Sequence, residues 1–401
     1  MSFSPKILVV AGEASGDDHA ARLVAAIRES CPQAEFFGIG GEALAAQGVR
    51  ILCPAAELAV VGLLEVAGRL PAIWRALRTI GRVLKTERPD LAILVDFPDF
   101  NFWVARLARY WRVPVMYYIS PQVWAWRTYR VRTIARLVNR MVVIFPFEAD
   151  FYRARGVAVE YVGHPFRETL PPLPDRRTFL AEHHLDPEAL TIALLPGSRG
   201  SEIERHLPTM LKAATLIHRS IPQSQFLLPL ASTAPAALVE GMVTERGSEG
   251  VRAGLKPAPT IKIIQGQSYE ALCTAHLAVV ASGTATVEAA LAAVPTVIVY
   301  RVSALTFAAA RRLVRVEHVG MANLLAEARV FPELLQDDFT TARLAQEVLS
   351  LIADRPRLAA MGRGLARVIH RLGGPGASRR AAQVALELMG SGAGERREPL
   401  A

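Results

Sequence analysis

A repeated order of apolar run, glycine- or aspartate-bearing turn and helical pattern constrains this chain most. Lys6–Ala11 leads through residues 12–18 into an amphipathic stretch reaching Ile27, and Leu91–Val95 leads through residues 96–101 into another near 102–110. Residues 115–119 and 141–145 are followed in the same way by 120–126 and 146–155. Short, uninterrupted apolar runs are strands buried on both faces. Strands alternating with helices build βαβ units and a parallel, doubly wound sheet. The pattern restarts at residues 191–195, 225–230, 277–281 and 296–300.

A chain of 401 residues exceeds what one hydrophobic core sustains, roughly 250–300 residues. The expected fold is therefore α/β, with two Rossmann-like doubly wound parallel-sheet domains and a cleft between them, where ligands tend to bind. The aperiodic segment holding Pro165, Pro171, Pro172 and Pro174 is the expected junction. The expected division is residues 1–168, a linker at 169–189, a second domain at 190–350, terminal helices at 351–388 and a flexible tail at 389–401. Residues 241–260, rich in glycine and proline, read as a surface loop.

Charge is concentrated rather than spread. Of the net +9, all resides in residues 61–140, which carry 14 basic and 5 acidic side chains and all five tryptophans. Such a block suits nucleic acid, an anionic membrane surface or a phosphorylated substrate. No helix-turn-helix, finger or RNA-binding sheet signature supports nucleic acid. Cys31, Cys53 and Cys273 are odd in number and form no CxxC, so a reducing cytosol and no thiolate metal site are expected. The first apolar run is five residues followed at once by Gly12-Glu13, a buried strand rather than a signal peptide. The most apolar stretch, 277–300, contains Ser-Gly-Thr-Ala-Thr, Glu288 and a proline, and reads as strand, helix, strand.

Residues 61–85 place Leu63, Val66, Leu70, Ile73, Trp74, Leu77, Ile80 and Leu84 at spacings of three and four, with five cations interleaved. Pro71 predicts two helices, the second starting there. The segment is either a packed helix with a solvated basic face or an interfacial helix on anionic lipid.

Four strand-end loops could carry chemistry. Residues 194–202, Leu-Leu-Pro-Gly-Ser-Arg-Gly-Ser-Glu, combine a glycine-bearing turn at Gly197-Ser198, a helix N-terminus and the cation Arg199, which suits a phosphate as well as a plain turn. Residues 281–288 repeat that arrangement: Ser282, Gly283 and Thr284 could meet a diphosphate and Glu288 ribose hydroxyls, or Ser282 could simply cap the helix. Asp96, after the 91–95 strand, is placed as a general base would be, while Asp99 is better read as a helix N-cap. The Gly12–Asp17 loop brings two carboxylates that would repel phosphate, so Glu13 and Ser15 suit sugar hydroxyls or serve as a capped helix start. Residues 118–127 add Ser120, Trp126 and Arg127. No carboxylate or histidine cluster has metal-ligand spacing, so neither metal nor other cofactor is predicted.

Taken in order, ten segments resemble one family, lipid-A-disaccharide synthase. They are VAGEASGD (10–17), AVVGLLEV (59–66), VDFPDFN (95–101), YISPQVWAWR (118–127), FPFE (145–148), VGHP (162–165), LLPGSRGSE (194–202), ASGTATVEAAL (281–291), VIVYR (297–301), and NLL with PELLQDD between 323 and 338. The resemblance implies the glycosyltransferase B architecture, with the last helices crossing back to the first domain. It implies inverting transfer of 2,3-diacylglucosamine from UDP-2,3-diacylglucosamine to the 6-hydroxyl of 2,3-diacylglucosamine 1-phosphate, without metal, at the cytoplasmic face of the inner membrane of a Gram-negative-type bacterium. Carried over by motif, Asp96 is similar to the general base and Arg199 to an essential phosphate-contacting cation. Ser282, Thr284, Glu288 and Asn323 resemble positions in or beside the UDP site. The 59–77 stretch, with Leu63, Leu64, Val66, Leu70 and Trp74, resembles a membrane-contacting element. The implied partners are the two glycolipids and an anionic membrane surface, not nucleic acid; a homodimer is left open. Another UDP-sugar enzyme of this architecture would share the second-domain loops but not the VDFPDFN and SPQVWAWR segments, whereas a non-catalytic membrane-bound nucleotide-sugar module would retain Glu288 and the loops yet tolerate loss of Asp96.

Overall fold

The computed structural model of the chain describes residues 4–58, 63–231, 234–252, 258–303, 307 and 318–395; the side chains of 14, 63–69, 246–252 and 391–395 fall outside that description. The chain forms two compact units: residues 1–168 with 372–401, and residues 169–371. Unit 1 holds a seven-stranded sheet of β1 (Lys6–Ala11), β2 (Glu35–Gly40), β3 (Arg50–Pro54), β4 (Leu91–Val95), β5 (Val115–Tyr118), β6 (Arg140–Val143) and β7 (Val159–Tyr161), in the order β3-β2-β1-β4-β5-β6-β7. Unit 2 holds β8 (Leu190–Leu195), β9 (Ser224–Leu230), β10 (Thr260–Gln265), β11 (Leu277–Ala281), β12 (Thr296–Tyr300) and β13 (Glu333–Leu335), ordered β10-β9-β8-β11-β12-β13. The pairings in both sheets are parallel. The central strands β1, β4, β8 and β11 are buried almost throughout, which is why they read as apolar runs without alternation.

Several boundaries differ from the expectations. Residues 169–189 are not a bare linker: the helix Arg176–Glu182 buries Phe179 and Leu180 against Leu227 and Ile264, inside unit 2. The return to unit 1 comes at Leu372 rather than near 351. The helix Arg355–Arg371 is tied to unit 2 by buried Met361, Leu365 and Val368, and Gly364 lets Val330 approach to 2.5 Å of where a Cβ would stand. Residues 241–252, read as loop, belong to the helix Ala236–Arg252, which is anchored by the fully buried Val239. The tail expected from 389 is helical as far as Glu395.

Pro71 does not divide its segment, because one helix runs Leu63–Thr86 with the proline inside it. A proline forfeits one main-chain bond there. Downstream, Ala76, Ile80, Val83 and Leu84 are buried in the unit 1 core and secure that part of the helix. The 277–300 stretch is strand, helix, strand as expected, and no helix among the described residues is long and apolar enough to cross a membrane.

The helix Ala377–Glu395 completes unit 1 through polar contacts that bridge distant sequence. Arg380 donates from Nε (2.8 Å) and Nη2 (2.6 Å) to the Val162 carbonyl, and Glu168 accepts from the Ser378 amide (2.8 Å) and hydroxyl (2.6 Å). Bonds to charged groups are worth about 1.5–3 kcal/mol each, and removing one partner leaves the other stranded. Arg380→Ala is therefore expected to destabilise the protein by about 2–3 kcal/mol, read as a lower urea midpoint at unchanged m. An unchanged midpoint would show that the apolar contacts alone hold this helix.

Candidate functional site

Strand order reverses between β1 and β4 in unit 1 and between β8 and β11 in unit 2. Loops leaving the carboxyl ends of strands on either side of such a reversal diverge and open a crevice. In unit 1 these loops are 12–13 and 96–97, and in unit 2 they are 196–199 and 282–284, each running straight into the helix that follows. The four loops singled out from sequence thus fall at the two reversal points.

In unit 1, Asp96 follows β4 directly, with a main-chain φ of 44°. Asp99 is not the N-cap expected. The helix begins at Pro98 with Phe97 in the cap position, and Asp99 pairs with Arg130 at 2.7 Å and Arg127 at 3.5 Å. Arg127 also lies 3.8 Å over the ring of Trp126, which is partly exposed. Glu13 caps the helix Ala14–Ser30 by its backbone alone and is half-buried, and Ser15 is exposed. Asp17 is consumed internally: it is buried and accepts from the amides of Gly41 (2.7 Å) and Ala43 (2.9 Å). Ser120, a candidate for ligand contact, is buried too, its hydroxyl shared between the Pro121 carbonyl (2.9 Å) and Tyr152 (2.7 Å).

Sequence reading missed Glu148, whose only signal was the FPFE segment. It is 2% exposed, accepts from Trp124 Nε1 at 3.0 Å and the Phe145 amide at 3.3 Å, and burial pushes its carboxyl up to about 8. It therefore stays protonated at neutral pH and pins the tryptophan of the 118–127 segment.

In unit 2, Gly197 has φ 116°, and a Cβ there would stand 2.5 Å from a Glu202 carboxylate oxygen. Glu202 reaches back to the Ser198 amide (3.3 Å) and to Arg199 Nη1 (3.3 Å). A carboxylate thus rests on the amide and cation that the sequence offers to a phosphate. His206, fully buried, joins this loop to the end of β12: its Nδ1 donates to the Pro196 carbonyl (2.8 Å), and Nε2 accepts from the Arg301 amide (3.0 Å). Burial lowers its pKa, consistent with the neutral tautomer this pairing requires. No motif signalled His206.

The second unit 2 loop is held from below. Ser282 does not cap the helix Ala285–Leu291; Thr284 takes the cap position, and the Ser282 hydroxyl donates to the Val319 carbonyl (2.9 Å). Gly283 and Thr284 are exposed. Glu288 is half-buried one turn into that helix, and burial, then the neighbouring Glu270, push its carboxyl up to about 7. Asn323 is spent within the protein. It is fully buried, donating from Nδ2 to the Phe331 carbonyl (2.9 Å) and Glu333 Oε1 (2.8 Å) while Oδ1 accepts from the Phe331 amide (2.8 Å). Glu333 in turn accepts from the amides of Val319 (3.1 Å) and Gly320 (2.9 Å), so Asn323 supports the turn on which Ser282 rests.

On the helix Leu63–Thr86, Leu70 is 47% and Trp74 62% exposed, while Leu63, Leu64 and Val66 lie outside the described side chains. Arg132, Arg136 and Arg155 line a surface groove of about 700 Å³ beside Tyr129.

With this geometry in place, the comparisons decide the family. The profile of the lipid-A-disaccharide synthetase family matches residues 7–388. The chain is 47% identical to the lipid-A-disaccharide synthase of Myxococcus xanthus over 98% of this chain and 100% of that one, and 43% identical to that of Geobacter metallireducens over 96% and 97%. This chain belongs to the lipid-A-disaccharide synthase family. It is accordingly a glycosyltransferase of lipid A biosynthesis. Among solved structures it is similar to the calicheamicin glycosyltransferase (TM-score 0.57, 17% identity, 99% and 100% covered). It is also similar to a UDP-N-acetylglucosamine 2-epimerase from Neisseria meningitidis bound to UDP-GlcNAc (0.64, 12%, 96% and 100%). At these identities the likeness establishes the two-sheet glycosyltransferase B fold that the family shares with such epimerases.

The family segments include Glu148, and its titration is testable. Its ordinary value is 4.5 and its folded value about 8, so the folded state holds more protons between those limits. Its contribution to stability is fully present below about pH 4.5 and is lost as pH rises through 8. Glu148→Gln keeps an acceptor for Trp124 and cannot ionise. The variant is expected to lose less thermal midpoint than the parent between pH 5 and 8, and parallel curves would refute the assignment.

Proposed function

We propose that the protein transfers 2,3-diacylglucosamine from UDP-2,3-diacylglucosamine to the 6-hydroxyl of 2,3-diacylglucosamine 1-phosphate, with inversion and without a metal. The observation that carries this reading is Asp96, set at the reversal point of unit 1 by the family segment VDFPDFN. A carboxylate there can take the acceptor proton as the hydroxyl oxygen attacks the anomeric carbon and the UDP oxygen departs. Arg199 and the amides of Gly197 and Ser198 stabilise the diphosphate charge that develops, aided by the N-terminus of the helix Gly200–Ser220. Glu202 must give up its hold on Ser198 and Arg199 when the diphosphate arrives. Gly283 and Thr284 meet the nucleotide directly, Ser282 and Asn323 shape the loop beneath it, and Glu288 accepts from the ribose hydroxyls. Glu13, Ser15, Trp126 and Arg127 face the acceptor, and Ser120 acts from beneath them.

Asp96→Asn is expected to lower turnover roughly 100-fold or more while calorimetry shows UDP binding retained. The assay is UDP release from UDP-2,3-diacylglucosamine with and without the monosaccharide phosphate. Acceptor-dependent release supports the transfer, whereas release independent of acceptor, or near-normal turnover in the variant, contradicts it.

The same reading places the protein on the cytoplasmic face of the inner membrane. Exposed Leu70 and Trp74 support it, together with the basic groove of Arg132, Arg136 and Arg155. Changing Leu70 and Trp74 to Ser, with Leu63, Leu64 and Val66, is expected to abolish co-sedimentation with phosphatidylglycerol vesicles at low salt. Undiminished binding by that variant would remove this helix from the membrane contact.

A further inference from the structure

The turn that carries Asp96 is held in a conformation its own residues disfavour. Asp96 and Phe97 have φ of 44° and 46°, two consecutive side-chain-bearing residues in the left-handed region. That region costs roughly 1–2 kcal/mol per residue, and a bulky residue such as Phe is seldom found there. Strain of this kind persists only where surrounding bonds over-determine it.

Those bonds converge on one carbonyl. The Asp96 oxygen accepts from the Tyr117 hydroxyl at 2.6 Å and from Asn101 Nδ2 at 2.7 Å; Nδ2 also reaches the Val95 carbonyl at 3.2 Å. The Asp96 amide donates to the Tyr118 carbonyl at 3.2 Å, and the Asn101 amide to the Phe97 carbonyl at 3.0 Å. Tyr117 and Asn101 are both fully buried, so both donor side chains are withdrawn from water. The Oδ1 of Asn101 has no partner among the described residues. The Phe97 ring completes the clamp, lying 2.3 Å from where a Cβ on residue 12 would stand, so Gly12 of the first family segment makes room for the turn of the third.

We propose that Tyr117 and Asn101 are positioning residues that clamp the main chain of Asp96 in its left-handed conformation and thereby aim its carboxylate. The inference rests on the reading of Asp96 as the base. A main chain released from the left-handed region rotates about φ and swings the carboxylate off the acceptor hydroxyl. Because the general base acts only within hydrogen-bond reach, a displacement of about 1 Å suffices to lose rate. Burial keeps the Tyr117 hydroxyl protonated far beyond neutral pH, so it serves as a donor under all working conditions.

The test compares Tyr117→Phe and Asn101→Ala, each alone and combined with Asp96→Asn, in the acceptor-dependent UDP-release assay. Tyr117→Phe removes one oxygen and is expected to lower kcat about ten-fold, with KM for both substrates within two-fold and the thermal midpoint within a few degrees. In the Asp96→Asn background, the same change is expected to leave the residual rate unaltered, because it acts through the missing carboxylate. An equal loss in both backgrounds, or a rise in KM without a fall in kcat, overturns the clamp. Wild-type kcat in Tyr117→Phe alongside inactive Asp96→Asn overturns the clamp and leaves the base standing. Full activity in Asp96→Asn overturns both. Should Asn101→Ala fail to fold, Tyr117→Phe decides alone.

Discussion

The structure depends on one constraint, that a parallel strand must leave its sheet by the carboxyl end and return over a face. Where the order of strands reverses, two such exits turn away from each other and their loops are free of sheet pairing. Unit 1 does this between β1 and β4 and unit 2 between β8 and β11. The glycines, the carboxylate and the phosphate-type turn all lie on those four exits. Elsewhere the strand ends carry support, as with Tyr117 and Tyr118 in β5 and Glu333 in β13.

That support is chiefly polar and buried. Glu333 with Asn323, His206 with Arg301, Glu148 with Trp124, and Asn101 with Tyr117 each hold a loop by bonds within one unit. A buried polar group is costly unless paired, and once paired it admits few alternative arrangements. Loops rich in glycine and small residues gain definition from such pairs rather than from their own packing. The positive block of residues 61–140 is likewise partly committed: Arg127 and Arg130 are drawn to Asp99, and Arg106 sits 5.0 Å over Trp103. The cations of the 131–137 helix are left to face outward.

Legibility followed the physics of each feature. The central strands were readable because strands buried on both faces must be apolar, and the loops after them because chain reversal calls for particular residue types. Pro71 misled because a proline's local cost is small beside the packing of the helix face beyond it. Residues 241–252 misled because glycine content outweighed the helical spacing that Met242 and Val243 continue from Leu238 and Val239. Asp17, Ser120 and Asn323 look in sequence like ligand-facing groups, and each proves to be spent on neighbours. A hydroxyl, amide or carboxylate has the same letter whether it faces solvent or a buried amide.

The sequence by itself determined the two parallel sheets, the family and the position of the four loops proposed to carry its chemistry, because these follow from local periodicity and from motifs in fixed order. Only the tertiary structure decided which polar side chains stay available and which are consumed, where the chain returns to unit 1, and that Asp96 stands on a strained turn. Many of those depend on partners far along the chain, such as Tyr117 for Asp96, 21 residues away, Ser378 for Glu168, 210 away, and Val162 for Arg380, 218 away, and no local pattern encodes a contact at such separations.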